Sequence, residues 1–128
     1  MPRSRSATGA SARLRAELFG RRGEAIAAWY LRLKGYAILA ARYKTPSGEI
    51  DLVVRRGGAI VFVEVKSRLS ARAEGEALGA VNARRIAAAA GHYLARHPRL
   101  AGRDCRFDVI FLAPFRLPRH VKNAFPAA

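Results

Sequence analysis

The sequence has little acid. Nine Asp and Glu residues stand against 24 Lys and Arg, for a formal net charge of +15. A surface with that imbalance attracts polyanions, so nucleic acid is the expected partner; a generic basic surface is the plainer reading of the same count. Cysteine is nearly absent. Cys105 has no second cysteine to pair with, so no internal disulfide can form, and a reducing, cytoplasmic setting is expected. No apolar run approaches the ~18 residues that a membrane-spanning helix needs, and no signal-peptide apolar region is present. No membrane partner is expected. His92, His97 and His120 lack metal-ligand spacing relative to one another. Walker loops, dinucleotide fingerprints, zinc spacings and nucleophile elbows are missing, as are internal repeats.

What remains is ordinary globular material, 51% hydrophobic and 26% charged over 128 residues, enough for one domain with a real core. Residues 1–12 carry Arg and Ser without an acid. They read as a flexible basic tail, either adding phosphate affinity or merely disordered. Residues 13–125 read as a single domain.

The chain is organised around Gly48-Glu49-Ile50-Asp51-Leu52-Val53-Val54 and Ala59-Ile60-Val61-Phe62-Val63-Glu64-Val65-Lys66. Both runs are apolar, rich in β-branched residues and broken by acids, so they read as strands. Gly57-Gly58 between them has the preferred chemistry of a two-residue hairpin turn. Alternation puts Glu49, Asp51 and Val53 on one face of the first strand, and Ile60, Phe62, Glu64 and Lys66 on one face of the second. With the glycines at the turn, Asp51 falls opposite Glu64 and Glu49 opposite Lys66. Like charges so placed destabilise a sheet, and a divalent cation is the simplest compensation. Mg²⁺ takes oxygen ligands, commonly carboxylates completed by water and phosphate. Asp51, Glu64 and Lys66 are therefore the candidate centre for metal-assisted phosphodiester chemistry.

Around this hairpin, Arg22 to Lys34 reads as a helix closed by Gly35. Ala27, Ala28 and Leu31 share a face with Glu24, which leaves Glu24 either facing the sheet or serving the helix dipole in solvent. Trp29 and Tyr30 read as packing residues. Tyr36 to Lys44 reads as a strand with Ile38 buried, and Thr45 to Gly48 as a turn. Ser67 to Ala80 reads as a mobile loop beside the site. Val81 to His97 reads as an Ala-rich helix, capped with help from Asn82 and stopped by Pro98. Arg84 and Arg85 in its first turns either hold a phosphate or are solvated. Arg103 to Leu112 reads as a strand in which Asp108 pairs a neighbouring arginine, and Arg119 to Phe125 as a short terminal strand or arm. Helix, three strands, helix, strand gives an α/β sandwich with a mixed central sheet flanked by helices.

Asp51 followed by Glu64-Val65-Lys66 resembles the PD-(D/E)xK nuclease signature. Together with Gly23-Glu24, Ala27-Ala28, Tyr30-Leu31, Gly35-Tyr36, Ile38-Leu39, Gly48-Glu49-Ile50-Asp51-Leu52, Val61 to Arg68 and Arg106-Phe107-Asp108-Val109, it resembles the YraN-like family of small bacterial proteins. The resemblance implies a restriction-endonuclease-like fold, similar to Holliday-junction resolvases. It implies catalytic roles for Glu24, Asp51, Glu64 and Lys66, and Mg²⁺ or Mn²⁺ held by Asp51, Glu64 and the Val65 carbonyl. It favours DNA over RNA. Arg68, Arg84 and Arg85 are the candidate nucleic-acid contacts. The family usually has Asn where Arg42 stands and Lys at the position of Arg85. Glu49 either steadies the Lys66 ammonium or is a surface residue. The expected activity is metal-dependent endonucleolytic cleavage, with branched or damaged DNA as candidate substrates. A catalytically silent nucleic-acid-binding module and a basic scaffold for a protein partner are the alternatives. A resolvase-like activity would want a homodimer, with the segment around Val121 and Phe125 as a candidate interface.

Overall fold

The structure, a computed structural model, describes residues 22–67 and 83–124. The basic tail, the Ser67 to Ala80 loop beyond Ser67, Arg68, Asn82 and Phe125 lie outside the described residues. Helix α1 covers residues 22–33. It ends in a Schellman motif: Tyr36 N–H bonds Leu31 O and Gly35 N–H bonds Arg32 O, both at 3.0 Å. Gly35 takes the left-handed φ of 92° that this motif requires. Then come β1 (Ala37–Thr45), β2 (Gly48–Arg56), β3 (Ala59–Ser67), α2 (Ala83–Ala95), a 3-10 turn (Pro98–Leu100), β4 (Asp104–Leu112) and β5 (Arg119–Val121).

The five strands lie in the order β1-β2-β3-β4-β5. β1, β2 and β3 form an antiparallel meander. β3 and β4 are parallel, joined through α2, and β5 closes the edge antiparallel to β4. The fold is the mixed α/β sandwich of the restriction-endonuclease-like kind that the sequence predicts, with element ends shifted by a residue or a few. Among the described residues no helix is long and apolar enough to cross a membrane.

Each sheet face buries one helix. α1 lays Ala27, Ala28 and Leu31 against Leu52, Val54, Val61, Val63, Ile110 and Leu112. α2 lays Ile86, Ala89, Ala90 and Tyr93, at i, i+3, i+4 and i+7, against Ile50, Val53, Ile60, Phe62 and Phe107. Gly23 lets α1 start close to the sheet, for a Cβ there would lie 3.1 Å from Leu112 Cδ1. Trp29 departs from expectation. It points outward and is exposed together with Ile26 and Leu33. Ile38 is half-buried at the edge of the α1 cluster.

Asp108 is the one charged residue buried completely among the described residues. Its pairing with an arginine is as expected, and its other partners come from further away. Arg106 donates Nε to Oδ1 and Nη2 to Oδ2, both at 2.8 Å. The Asn123 N–H donates to Oδ1 at 2.9 Å, and His120 Nε2 to Oδ2 at 2.6 Å. Lys34 Nζ lies 2.7 Å from His120 Nδ1, so the ring takes its lone pair to the lysine and its proton to the aspartate. Arg106 also reaches the Tyr36 hydroxyl at 2.8 Å. Burial alone would raise the Asp108 pKa. The bonds from His120, Arg106 and Asn123 outweigh it and hold the carboxyl at about 2.

Asp108→Ala leaves the half-buried Arg106 and the buried His120 without their acceptor, and is expected to cost about 3 kcal/mol in chemical denaturation. Arg106→Ala should cost a similar amount, and the double variant little more than either single change, since the groups form one network.

Candidate metal centre

The hairpin register is as read from the sequence. Arg56 pairs with Ala59, and the ladder runs to Leu52 opposite Val63. Gly57 takes φ 58° at the turn, where the first central residue needs glycine. One step past Leu52 and Val63 come Asp51 and Glu64, and there the two strands stop pairing. β2 stays paired with β1 as far as Gly48. β3 stays paired with β4 as far as Ser67. The Val65 N–H, whose ladder partner would have been the Ile50 carbonyl, donates instead to Asp51 Oδ2 at 2.8 Å. The Asp51 N–H donates in turn to the Glu64 carboxylate. A side chain has taken the place of a ladder carbonyl, and a gap lined by acids opens between the strands.

Alternation fails at the same level. Ile50 and Val53, an odd number of residues apart, both pack under α2, as do Ala40 and Tyr43 on β1. Between Ala40 and Tyr43, Arg42 takes the left-handed φ of 53°, which Asn tolerates better than Arg. Arg42 Nε reaches Glu24 Oε1 on α1 at 3.1 Å. Glu24 thus faces the sheet rather than solvent, beside a cavity of about 370 Å³ bounded by Ala28, Ala41 and Leu52.

One oxygen each from Glu24, Glu49 and Asp51 can be chosen so that all lie within 4.8 Å of one another. Glu49 was read as opposite Lys66, and this is corrected: the β2–β3 ladder ends before it, and it stands opposite Lys44 on β1. It is exposed, as the surface alternative had it, yet has an oxygen near the acids; burial raises the pKa values of Glu24, Asp51 and Glu64, and the Glu49 charge adds a smaller push in the same direction. Its Glu-x-Asp spacing from Asp51 was the available signal. Glu64 is not one of that close trio, but it is electrostatically joined to it. Burial, then the Asp51 charge, push its carboxyl up to about 7. The Lys66 charge pulls both Asp51 and Glu64 back down. Glu64 Oε1 is buried with no hydrogen-bond partner.

Buried polar atoms are nearly always satisfied, and an orphan calls for a water, an ion or a catalytic role. Here the orphan belongs to a carboxylate beside other carboxylates, the all-oxygen donor set that a hard divalent cation takes. The residues present suit such a cation. The Val65 side chain packs on the α1 cluster and its N–H is committed to Asp51. Arg84 is exposed on α2. Arg85 Nε bonds the Ser47 carbonyl at 3.0 Å and lies across Gly48, where a Cβ would meet Nε at 2.9 Å. Of the nucleic-acid candidates, then, Arg85 braces the β1–β2 turn next to Glu49.

The raised Glu64 pKa has a signed consequence. Below the ordinary glutamate value of 4.5 both folded and unfolded chains hold the proton; between there and about 7 only the folded chain does. Stability is therefore present at the acid end of that window and lost across it as pH rises. In chelator, the melting temperature is expected to fall from about pH 5 to about pH 8. Glu64→Gln should flatten that fall and melt higher than the parent at the alkaline end. An unchanged slope would assign the pH dependence to other groups.

The sequence has close relatives. It is 51% identical to a UPF0102 protein of Parvibaculum lavamentivorans over 88% of this chain and 84% of the relative. It is 49% identical to one of Chelativorans sp. over 93% and 98%, and 51% identical to one of Mesorhizobium japonicum over 83% and 85%. The family model described as "Uncharacterised protein family UPF0102" matches residues 23–112, a span that holds every acid of the centre. The chain belongs to the UPF0102 family, which is the YraN-like family.

Proposed function

We propose that the chain is a metal-dependent endonuclease that hydrolyses phosphodiester bonds in DNA. The observation that carries this reading is the buried, partnerless Glu64 Oε1 in a gap shared with Asp51 and Lys66. Asp51, Glu64 and the Val65 carbonyl would hold Mg²⁺ or Mn²⁺, with Glu24 and Glu49 completing the set. When bound, such an ion would polarise a phosphate oxygen and lower the pKa of water towards neutrality. The Val65 N–H fixes the Asp51 carboxylate, and Arg42 fixes Glu24. Lys66, whose charge acts on both Asp51 and Glu64, would orient the attacking water or neutralise charge developing on the phosphate. The net charge of +15 draws the polyanion to the surface. The cytoplasm is the compartment that goes with this substrate and with a lone thiol.

The test is cleavage of labelled single strand, duplex, flap and four-way junction with Mg²⁺, Mn²⁺ or chelator. The parent is expected to cut at least one of them, and chelator to abolish the cut. Glu64→Ala and Lys66→Ala should each lose at least about 100-fold in rate, with DNA binding by Glu64→Ala intact or tighter. Glu49→Gln should weaken the metal dependence about 10- to 100-fold. Mg²⁺ should raise the parent's melting temperature and leave that of Glu64→Gln unmoved. Binding without cleavage across the panel would favour the silent binding module.

A further inference from the structure

A second site lies at the other end of the sheet, on the α2 side. A cavity of about 330 Å³ is lined by Leu39, Tyr93, His97, Leu100 and three arginines, Arg55, Arg99 and Arg103. The arginines come from three places: β2, the 3-10 turn and the approach to β4. Among the described residues none of the three has an acid within ion-pair reach, and no acid lines the cavity. Guanidinium groups converging without a counter-charge repel one another unless an anion joins them. Neighbouring arginines are used differently. Arg56, the next residue after Arg55, lies over the Tyr36 ring at 5.5 Å on the α1 face, and Arg106 serves Asp108.

The floor is as informative as the rim. Between Ile38 and Ala40 the β1–β2 register shifts by one residue, and Leu39, the extra residue, forms part of the wall. His97 stacks on Tyr93 with centroids 4.0 Å apart. Its Nδ1–H donates to the Tyr93 carbonyl at 2.7 Å, which fixes the orientation of the ring. Three of the seven lining residues are arginines and a fourth is histidine, so the lining is more polar than apolar, with Leu39, Tyr93 and Leu100 as its apolar part. Leu39, Leu100 and an imidazole suit the flat face of a base. Three guanidinium groups suit the phosphate beside it, which they can grip through two parallel bonds each.

We propose that this pocket binds one nucleotide unit, base on the apolar floor and phosphate on Arg55, Arg99 and Arg103. The same chemistry serves a free nucleoside monophosphate or one nucleotide of a single strand. Arg55 and Asp51 are four residues apart on β2, or about 13 Å at the rise of a strand. The pocket is therefore separate from the acidic centre, and its binding requires neither metal nor catalysis.

The experiment is titration calorimetry in chelator. The probes are deoxyadenosine monophosphate, deoxyadenosine, inorganic phosphate, and short single strands with and without a 5′ phosphate. The monophosphate is expected to bind saturably and at least 10-fold tighter than either deoxyadenosine or phosphate. The paired variant Arg99→Ala/Arg103→Ala should lose at least 10-fold. Arg96→Ala, an equally exposed cation outside the pocket, should keep full affinity. A strand that binds tighter than the mononucleotide, and loses that gain in the paired variant, identifies the strand as the source; equal affinities identify the free nucleotide. No saturable binding by any probe, or equal loss in Arg96→Ala, overturns the proposal. Because no metal is present, that failure would leave the nuclease reading standing, and a failed nuclease assay would leave this one.

Discussion

One hydrogen bond shapes the acidic centre: the Val65 N–H to Asp51 Oδ2 at 2.8 Å. Had the ladder continued, that N–H would have met a backbone carbonyl and the strands would have stayed closed. Because a carboxylate intercepts it, β2 and β3 part without leaving the amide unsatisfied, which burial would penalise. The parting is stable only because each strand remains tied on its outer side, β2 to β1 and β3 to β4. The same bond aims Asp51 into the gap, and the gap admits Glu64.

Glu24 reaches that gap because α1 is fixed at both ends. At its start Gly23 allows close approach to Leu112. Past its end, Lys34 and Tyr36 are tied through His120 and Arg106 to the buried Asp108. The Asp108 network thus sits on the strand beside Glu64, level with Val63, and holds the end of the helix that carries Glu24. The turn next to Glu49 is held in a comparable way, by Arg85 on the Ser47 carbonyl and by Thr45, whose hydroxyl accepts from the Ser47 and Gly48 N–H groups at 3.1 Å.

The parts legible in the sequence are those governed by local rules. Gly35 and Gly57 marked a helix end and a hairpin, and counting from the hairpin set Asp51 beside Glu64. The i+3, i+4 and i+7 pattern gave α1 its buried face of Ala27, Ala28 and Leu31. What stayed hidden depends on partners distant in the chain. Counting by twos assumes an unbroken strand pair, and nothing in the residues reveals that the Asp51 carboxylate will take the Val65 N–H and the ladder end at Leu52 and Val63, so Glu49 was placed opposite the lysine, either steadying it or at the surface, and not with the acids. Trp29 looked like packing because its hydrophobicity says nothing of which side of the helix meets the sheet. Asp108 was legible as an arginine partner, since Arg106 lies two residues away on the same strand. Lys34 was not, being joined to His120 over 86 positions.

The charge distribution links the two halves of the functional reading. The chain has nine acids among 24 cations, and four of the nine, Glu24, Glu49, Asp51 and Glu64, lie in or around one gap. Surface ion pairs would have been the low-energy use of scarce acids in so basic a protein, yet among the described residues only Glu24 of the four has one. Under the proposed function, a polyanion drawn in by the positive surface would meet a local negative cluster, where its phosphates are repelled. A divalent cation would remove that conflict and meet the lone pairs of Glu64 Oε1 together. On that reading affinity for nucleic acid and affinity for metal would be linked, each bound partner lowering the cost of the other. By the reciprocity of linked binding, nucleic acid must then tighten the metal by the factor with which the metal tightens nucleic acid.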